Sequence, residues 1–299
     1  MPLQFQLSPD ERVIAGPAGI DLSVETHGDI SSPLTIVLIH GGYQSRRCFK
    51  YQYPTLAFDH FVVGLDLPGH GRSTLPEGAI LSSALYAECV HAVLTALHLE
   101  KKPIVLLGWS FGGLVCRAYL DHFGQEMNIV GLIQLASLFG GFAAYLSSLE
   151  RDPFFQPVLT TFANAEGESD TIAHQRFVTH FFERLTLTTS RLDEDTYDAV
   201  TGYNERAWWN FRAFDGAFLQ DLSSSDDTVN ALKTLTLSTL LLHGKEDALV
   251  PLSFSHVMHR LLPHAELIEI DRCGHSAMLE QPEVVNREIG GFLANLARV

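Results

Sequence analysis

The stretch IVLLGWSFGGLV, residues 104–115, decides the fold. Its opening, Ile104–Leu107, is a short branched-apolar run of the kind buried on both faces of a parallel sheet. Leu114–Phe123 reads as a helix. Between them stands Gly108-Trp109-Ser110-Phe111-Gly112-Gly113, a G-x-S-x-G motif with the strand before it and the helix after it that the motif requires. A serine on so tight a turn is strained, and flanking glycines let neighbouring backbone approach without Cβ clashes. The turn lifts the Ser110 hydroxyl above the sheet as a candidate nucleophile.

Outward from this turn the pattern repeats. Apolar runs at Leu34–Ile39, Phe61–Leu65, Ile129–Leu135, Thr239–Leu242 and Leu267–Ile270 are predicted strands. Helical spacing appears at Ser82–Leu97, where Leu85, Cys89, Ala92, Val93 and Ala96 form one stripe, and at Ser253–Leu262 and Pro282–Ala297. Alternating strand and helix predicts an α/β fold, a mostly parallel sheet covered on both faces. The alternation stops at Ser137. Residues 138–232 hold no convincing buried strand and are dense in aromatics, including Trp208, Trp209 and Phe211, so they are predicted to form an inserted helical cap. The core is then residues 1–137 and 233–299.

A serine needs a base. After Thr239–Leu242 comes His243-Gly244-Lys245-Glu246-Asp247, and after Leu267–Ile270 comes Asp271-Arg272-Cys273-Gly274-His275. Both loops leave strand C-terminal ends, the edge where open α/β sheets place their sites. Ser110, Asp247 and His275 therefore form a predicted Ser-His-Asp triad. Backbone N–H groups of Phe111 and Gly42 are the predicted oxyanion donors. Gly42 lies in His40-Gly41-Gly42-Tyr43, where His40 is expected to be structural. Tyr43, Trp109 and Trp209 are predicted to line the substrate pocket. Arg46 and Arg47 could meet a substrate carboxylate, but surface salt bridges are the favoured expectation.

These motifs, with Asp66-Leu67-Pro68-Gly69-His70-Gly71-Arg72-Ser73, resemble those of α/β-hydrolase-fold enzymes across nearly the whole chain outside the cap. The elbow is similar to that of small carboxylesterases of the pimeloyl-ester type. The resemblance implies the α/β-hydrolase fold, hydrolysis of a carboxylic ester or related acyl bond of a small, largely apolar substrate, and no cofactor. It also implies that Asp66–Ser73 is a structural turn, with no chemical role for Asp66 or Arg72. Haloalkane dehalogenases and epoxide hydrolases carry Asp where this chain has Ser110. Alternatives on the same fold are cofactor-free lyases or oxygenases, and ligand-binding receptors with little turnover.

Composition narrows the rest. The chain has 299 residues, 46% hydrophobic, enough for a large core. With 20 Lys+Arg against 35 Asp+Glu the net charge is −15, which argues against nucleic acid or an anionic membrane as partner. Cys48, Cys89, Cys116 and Cys273 form no CxxC pair and are expected to be free thiols, with Cys116 a buried apolar residue. With no secretory signal read at Met1–Glu11 and no transmembrane run, a cytoplasmic protein is expected. His256 and His259 lack an evident third ligand, so no metal site is expected.

Overall fold

The computed structural model describes residues 10–79, 81–137, 184–186, 235–262 and 264–296. Eight strands form one sheet: β1 (Asp10–Ala15), β2 (Asp21–His27), β3 (Thr35–Ile39), β4 (Phe61–Leu65), β5 (Ile104–Trp109), β6 (Ile129–Leu135), β7 (Ser238–Gly244) and β8 (Ala265–Ile270). Their spatial order is β1-β2-β4-β3-β5-β6-β7-β8. From β4 to β8 all neighbours are parallel, while β1–β2 and β2–β4 are antiparallel. Among the described residues the helices are α1 (Tyr53–Leu56), α2 (Ser83–Ala96), α3 (Phe111–Phe123), α4 (Ser253–Leu261), α5 (Ala277–Glu280) and α6 (Pro282–Leu296).

The central strands are apolar because each strand faces helices on both sides. Val37, Ile39, Ile104 and Leu106 pack with α2 and α3 through Val90, Val93, Leu114 and Tyr119. Their alternates Ile36, Leu38, Val105 and Leu107 pack with α6 through Val285, Ile289 and Phe292. Ser82 caps α2, its hydroxyl accepting from the Leu85 N–H at 3.1 Å.

Three differences from the sequence reading have physical causes. The stripe on α2 also takes in Tyr86, Val90 and Leu94, whereas Ala96 is exposed. The antiparallel hairpin β1–β2 escapes the pattern: β1 is an exposed edge strand, and β2 buries Ser23, Glu25 and Thr26 rather than an apolar run. The Ser23 N–H donates to Ser73 Oγ at 2.9 Å, Thr26 Oγ1 donates to the Asp10 carbonyl at 3.5 Å, and Glu25 meets Arg46. Finally, α3 begins at Phe111, immediately after Ser110.

The block 138–232, expected to be a cap, lies outside the described residues apart from 184–186. There Leu185 is buried in the α6-side core, and Arg184 Nη1 donates to the Ala248 carbonyl at 3.4 Å. No helix among the described residues is long and apolar enough to cross a membrane.

Candidate active site

Parallel strands in register bring four loops to one edge of the sheet. Ile39 pairs with Gly108, Gly108 with Gln134, Leu135 with Leu242, and Gly244 with Ile270. The loops after β3, β5, β7 and β8 carry Gly42, Ser110, Asp247 and His275 respectively.

Ser110 has φ +52° and ψ −118°, a conformation that costs roughly 1–3 kcal/mol for a non-glycine residue. Its surroundings hold it there. The Ser110 N–H donates to the Leu135 carbonyl at 2.9 Å. The Ser110 carbonyl accepts from the Ser137 hydroxyl at 3.0 Å and from the Gly113 N–H at 3.0 Å. The glycines of the motif are steric necessities: a Cβ on Gly112 would overlap the Ile39 carbonyl oxygen, and one on Gly113 would overlap Ser137 Oγ.

The Asp247 side chain is fully buried and divides its two oxygens between two tasks. Oδ1 accepts the N–H groups of Leu249 and Val250, both at 2.8 Å, which turns the chain towards Pro251. Oδ2 lies 2.8 Å from His275 Nδ1 and 3.1 Å from His243 Nε2. One side chain thus both closes the turn at Leu249–Val250 and faces His275. Burial pushes the Asp247 carboxyl up, but the His275 charge and the hydrogen bonds from His243 and His275 outweigh it. The net shift is well below the ordinary carboxylate range, so Asp247 is an anion.

His275 is held by its own backbone. Its carbonyl accepts from Trp109 Nε1 at 3.0 Å, and the two rings lie 5.5 Å apart. Glu280 accepts the N–H of Gly274 at 3.1 Å and of Ser276 at 3.3 Å. Glu246 accepts the Cys273 N–H at 3.0 Å, and the Glu246 N–H donates to the Cys273 carbonyl at 3.0 Å. The acid and histidine loops can approach this closely because a Cβ on Gly244 would overlap the Gly274 and Cys273 carbonyl oxygens. Trp109, expected in the pocket, is wholly buried. It belongs to the apolar core with Leu107, Leu135, Leu242 and Met278, and its indole N–H ties that core to the His275 loop.

The loop after β3 is fixed by two groups. His40 donates from Nδ1 to the Gly41 carbonyl at 2.7 Å and accepts the Leu67 N–H at Nε2, 2.9 Å away. Burial, aided by nearby His70 and Arg46, holds its pKa well below the usual histidine value, so it is neutral, as that tautomer requires. A Cβ on Gly42 would lie 3.7 Å from Phe111 Cβ, which places the two expected oxyanion residues side by side. Tyr43 follows at φ +60°, half-buried, its phenol pushed up by burial and the neighbouring Tyr86.

Arg46 corrects the expectation of a surface salt bridge. It is 1% exposed, with Nη1 on Asp66, Nε 3.1 Å from Glu25 and Nη2 2.8 Å from Glu11. Its backbone N–H also donates to Asp66 Oδ1 at 2.8 Å, while Asp66 Oδ2 accepts the Arg72 N–H at 2.9 Å. The guanidinium pins the loop after β3 to β1, β2 and the turn after β4. It is therefore engaged inside the protein rather than facing a ligand, while Arg47 is exposed. Among the described residues no cluster of His, Cys, Asp and Glu could hold a metal ion; His256 instead pairs with Glu269 at 2.7 Å. Trp209 lies outside the described residues.

Sequence reasoning passed over His243, Glu246, Glu280 and Ser137. None of these stands in a motif that would single it out.

An elbow serine after β5, an acid after β7 and a histidine after β8 match a known family. The model of the alpha/beta hydrolase family matches residues 36–288, and the chain belongs to that family. It is 26% identical over 288 residues to 2-hydroxy-6-oxo-2,4-heptadienoate hydrolase of Pseudomonas putida, covering 94% of this chain and 95% of the relative. It is 29% identical over 235 residues to 2-hydroxymuconate semialdehyde hydrolase of Pseudomonas putida, covering 78% and 76%. An esterase from Rhodococcus sp. ECU1013 superposes with a TM-score of 0.75 at 24% identity, covering 96% of this chain and 99% of that one. A thermophilic esterase from Thermogutta terrifontis gives 0.73 at 23%, covering 96% and 98%. At those identities the two structures establish the fold alone.

Proposed function

We propose that the protein is a serine hydrolase that cleaves a carboxylic ester or related acyl bond of a small, largely apolar substrate through an acyl-enzyme. The observation that carries the reading is the 2.8 Å contact of His275 Nδ1 with anionic Asp247, on the same sheet edge as strained Ser110. With Nδ1–H donated to Asp247, His275 Nε2 is left as the base. Ser110 Oγ attacks the carbonyl carbon and His275 takes its proton, while Asp247 stabilises the imidazolium. The N–H groups of Gly42 and Phe111 receive the developing oxyanion. His275 returns the proton to the leaving alcohol, and water then releases the acid by the same base. None of these steps calls on a metal or cofactor.

A second reading is favoured by the relatives' names. A 2-hydroxy-6-oxo-heptadienoate contains a ketone and no ester, so its hydrolysis breaks a carbon–carbon bond beside the carbonyl. Such a substrate carries a carboxylate that needs a cationic partner. Arg46, the buried arginine of the loop after β3, is already shared by Asp66, Glu25 and Glu11, so that guanidinium is not available to such a carboxylate.

The test compares short aryl esters with a 2-hydroxy-6-oxo-dienoate. The ester reading expects the higher kcat/KM on esters, and the reverse order overturns it. On the preferred substrate Ser110→Ala and His275→Ala should each lower kcat by roughly 10⁶-fold, with the double variant little worse. Asp247→Asn should cost on the order of 10⁴-fold. Additive losses would remove the triad assignment.

A further inference from the structure

We propose that His243 is a positioning residue of this site, holding the Asp247 carboxylate in the orientation His275 needs, with Ser255 fixing its tautomer. The inference rests on the serine-hydrolase reading and adds a residue to it.

His243 stands near the end of β7, and its side chain is fully buried. Its Nε2 lies 2.9 Å from the Val250 carbonyl oxygen and 3.1 Å from Asp247 Oδ2. Its Nδ1 lies 2.7 Å from Ser255 Oγ on α4. A carbonyl can only accept, and Asp247 is ionised, so Nε2 carries the proton. In the neutral ring the Nδ1 lone pair then faces the Ser255 hydroxyl, which donates to it. The opposite tautomer would turn a lone pair towards two acceptors. Ser255 on a different element thereby selects the tautomer that donates to Asp247.

The contact falls on the oxygen that matters. The Leu249 and Val250 N–H groups hold Oδ1, and the two histidines face Oδ2. His243 Nε2, whose N–H is hydrogen-bonded to the Val250 carbonyl, also stands 3.1 Å from Oδ2, the same atom that receives His275 Nδ1–H. A histidine serving only the core would need the Val250 and Ser255 contacts and nothing more. The shared oxygen ties its ring to the catalytic base.

The experiment compares wild type with His243→Phe, His243→Gln and Ser255→Ala. Phe keeps the ring's bulk without a donor, and Gln returns an N–H near the position of Nε2. Three readouts are used: melting temperature, the rate of fluorophosphonate labelling at Ser110, and the downfield NMR signal of the His275 Nδ1 proton. His243→Phe should slow labelling and kcat on the order of 10²-fold with KM unchanged, the scale of a misplaced catalytic group. The Nδ1 proton signal should broaden or vanish. His243→Gln should recover most of the rate and the signal, and Ser255→Ala should show a smaller loss in the same direction. A His243→Phe protein that labels at the wild-type rate, or a Gln variant no better than Phe when both melt as wild type does, overturns the proposal. Failure of the hydrolase reading looks different: Ser110 then takes no label even in the wild type. The NMR signal still decides the inference in that case, its loss in His243→Phe supporting it and its persistence overturning it.

Discussion

Replacing Arg46 by alanine removes a guanidinium that is 1% exposed and touches three carboxylates. Glu11 is partly exposed and can turn to water, but Asp66 is fully buried and Glu25 nearly so. Asp66 is thus left without its cation, and Glu25 keeps only His27, 2.6 Å away. Breaking a buried pair from one side costs about 3–5 kcal/mol. At roughly 2.1 cal/mol/K per residue, 299 residues give an unfolding entropy near 0.6 kcal/mol/K, so the melting temperature should fall by about 5–8 °C. The sign of the pH dependence follows from the stranded acid. Burial already raises the Asp66 carboxyl against the pull of Arg46, and without Arg46 it rises further. A folded pKa above the unfolded value makes ionisation destabilising, so the variant's deficit should be full at neutral pH and shrink as pH falls towards 5. Asp66→Asn in the Arg46→Ala background should restore part of the loss. Calorimetry from pH 5 to 8 on the three proteins checks this. An Arg46→Ala protein that melts with the wild type at every pH would refute the buried network and return Arg46 to the surface.

Other outcomes follow from single contacts. Trp109→Phe keeps most of the buried volume but loses the Nε1 hydrogen bond to the His275 carbonyl. A hydrogen bond worth about 0.5–1.5 kcal/mol corresponds to roughly a 2- to 10-fold drop in kcat; an unchanged rate would mean that the indole only fills space. Gly113→Ala, whose Cβ would collide with Ser137 Oγ, should displace the support of the Ser110 carbonyl and lower both melting temperature and kcat; wild-type values for both would contradict the packing described. The four buried cysteines should be silent to a thiol reagent until the protein unfolds. Burial pushes Cys89 up to about 12, so its stabilising effect is full below the unfolded thiol pKa of about 8.5 and is lost as pH climbs towards that raised value. Rapid labelling of native protein at pH 8 would contradict this.

The parts legible in the sequence were those fixed by local pattern. Ile104–Gly113 announces a strand, a strained turn and a helix because each step has its own residue chemistry. The loops bearing Asp247 and His275 could be aligned because apolar runs precede them. What stayed hidden depends on distant partners. Strand β2 carries Glu25 and His27 inward because Arg46, some twenty residues on, neutralises Glu25, and no periodicity rule anticipates that. Trp109 ends β5 beside Ser110, and its indole joins the core that holds Val105 and Leu107 and donates to the distant His275 carbonyl, a link that sequence spacing does not carry. His243 was overlooked for a similar reason: its partner Ser255 lies on another element, and its neighbour Asp247 drew the reading.

Whether Ser110 is an activated nucleophile can be read by intact and peptide mass spectrometry after treatment with a fluorophosphonate. One covalent phosphonyl group per chain is expected, on the peptide containing Gly108–Gly113 and assigned to Ser110, with labelling abolished in Ser110→Ala and nearly abolished in His275→Ala. No adduct on the wild-type protein, or an adduct on Ser110 that forms as fast without His275, would contradict it.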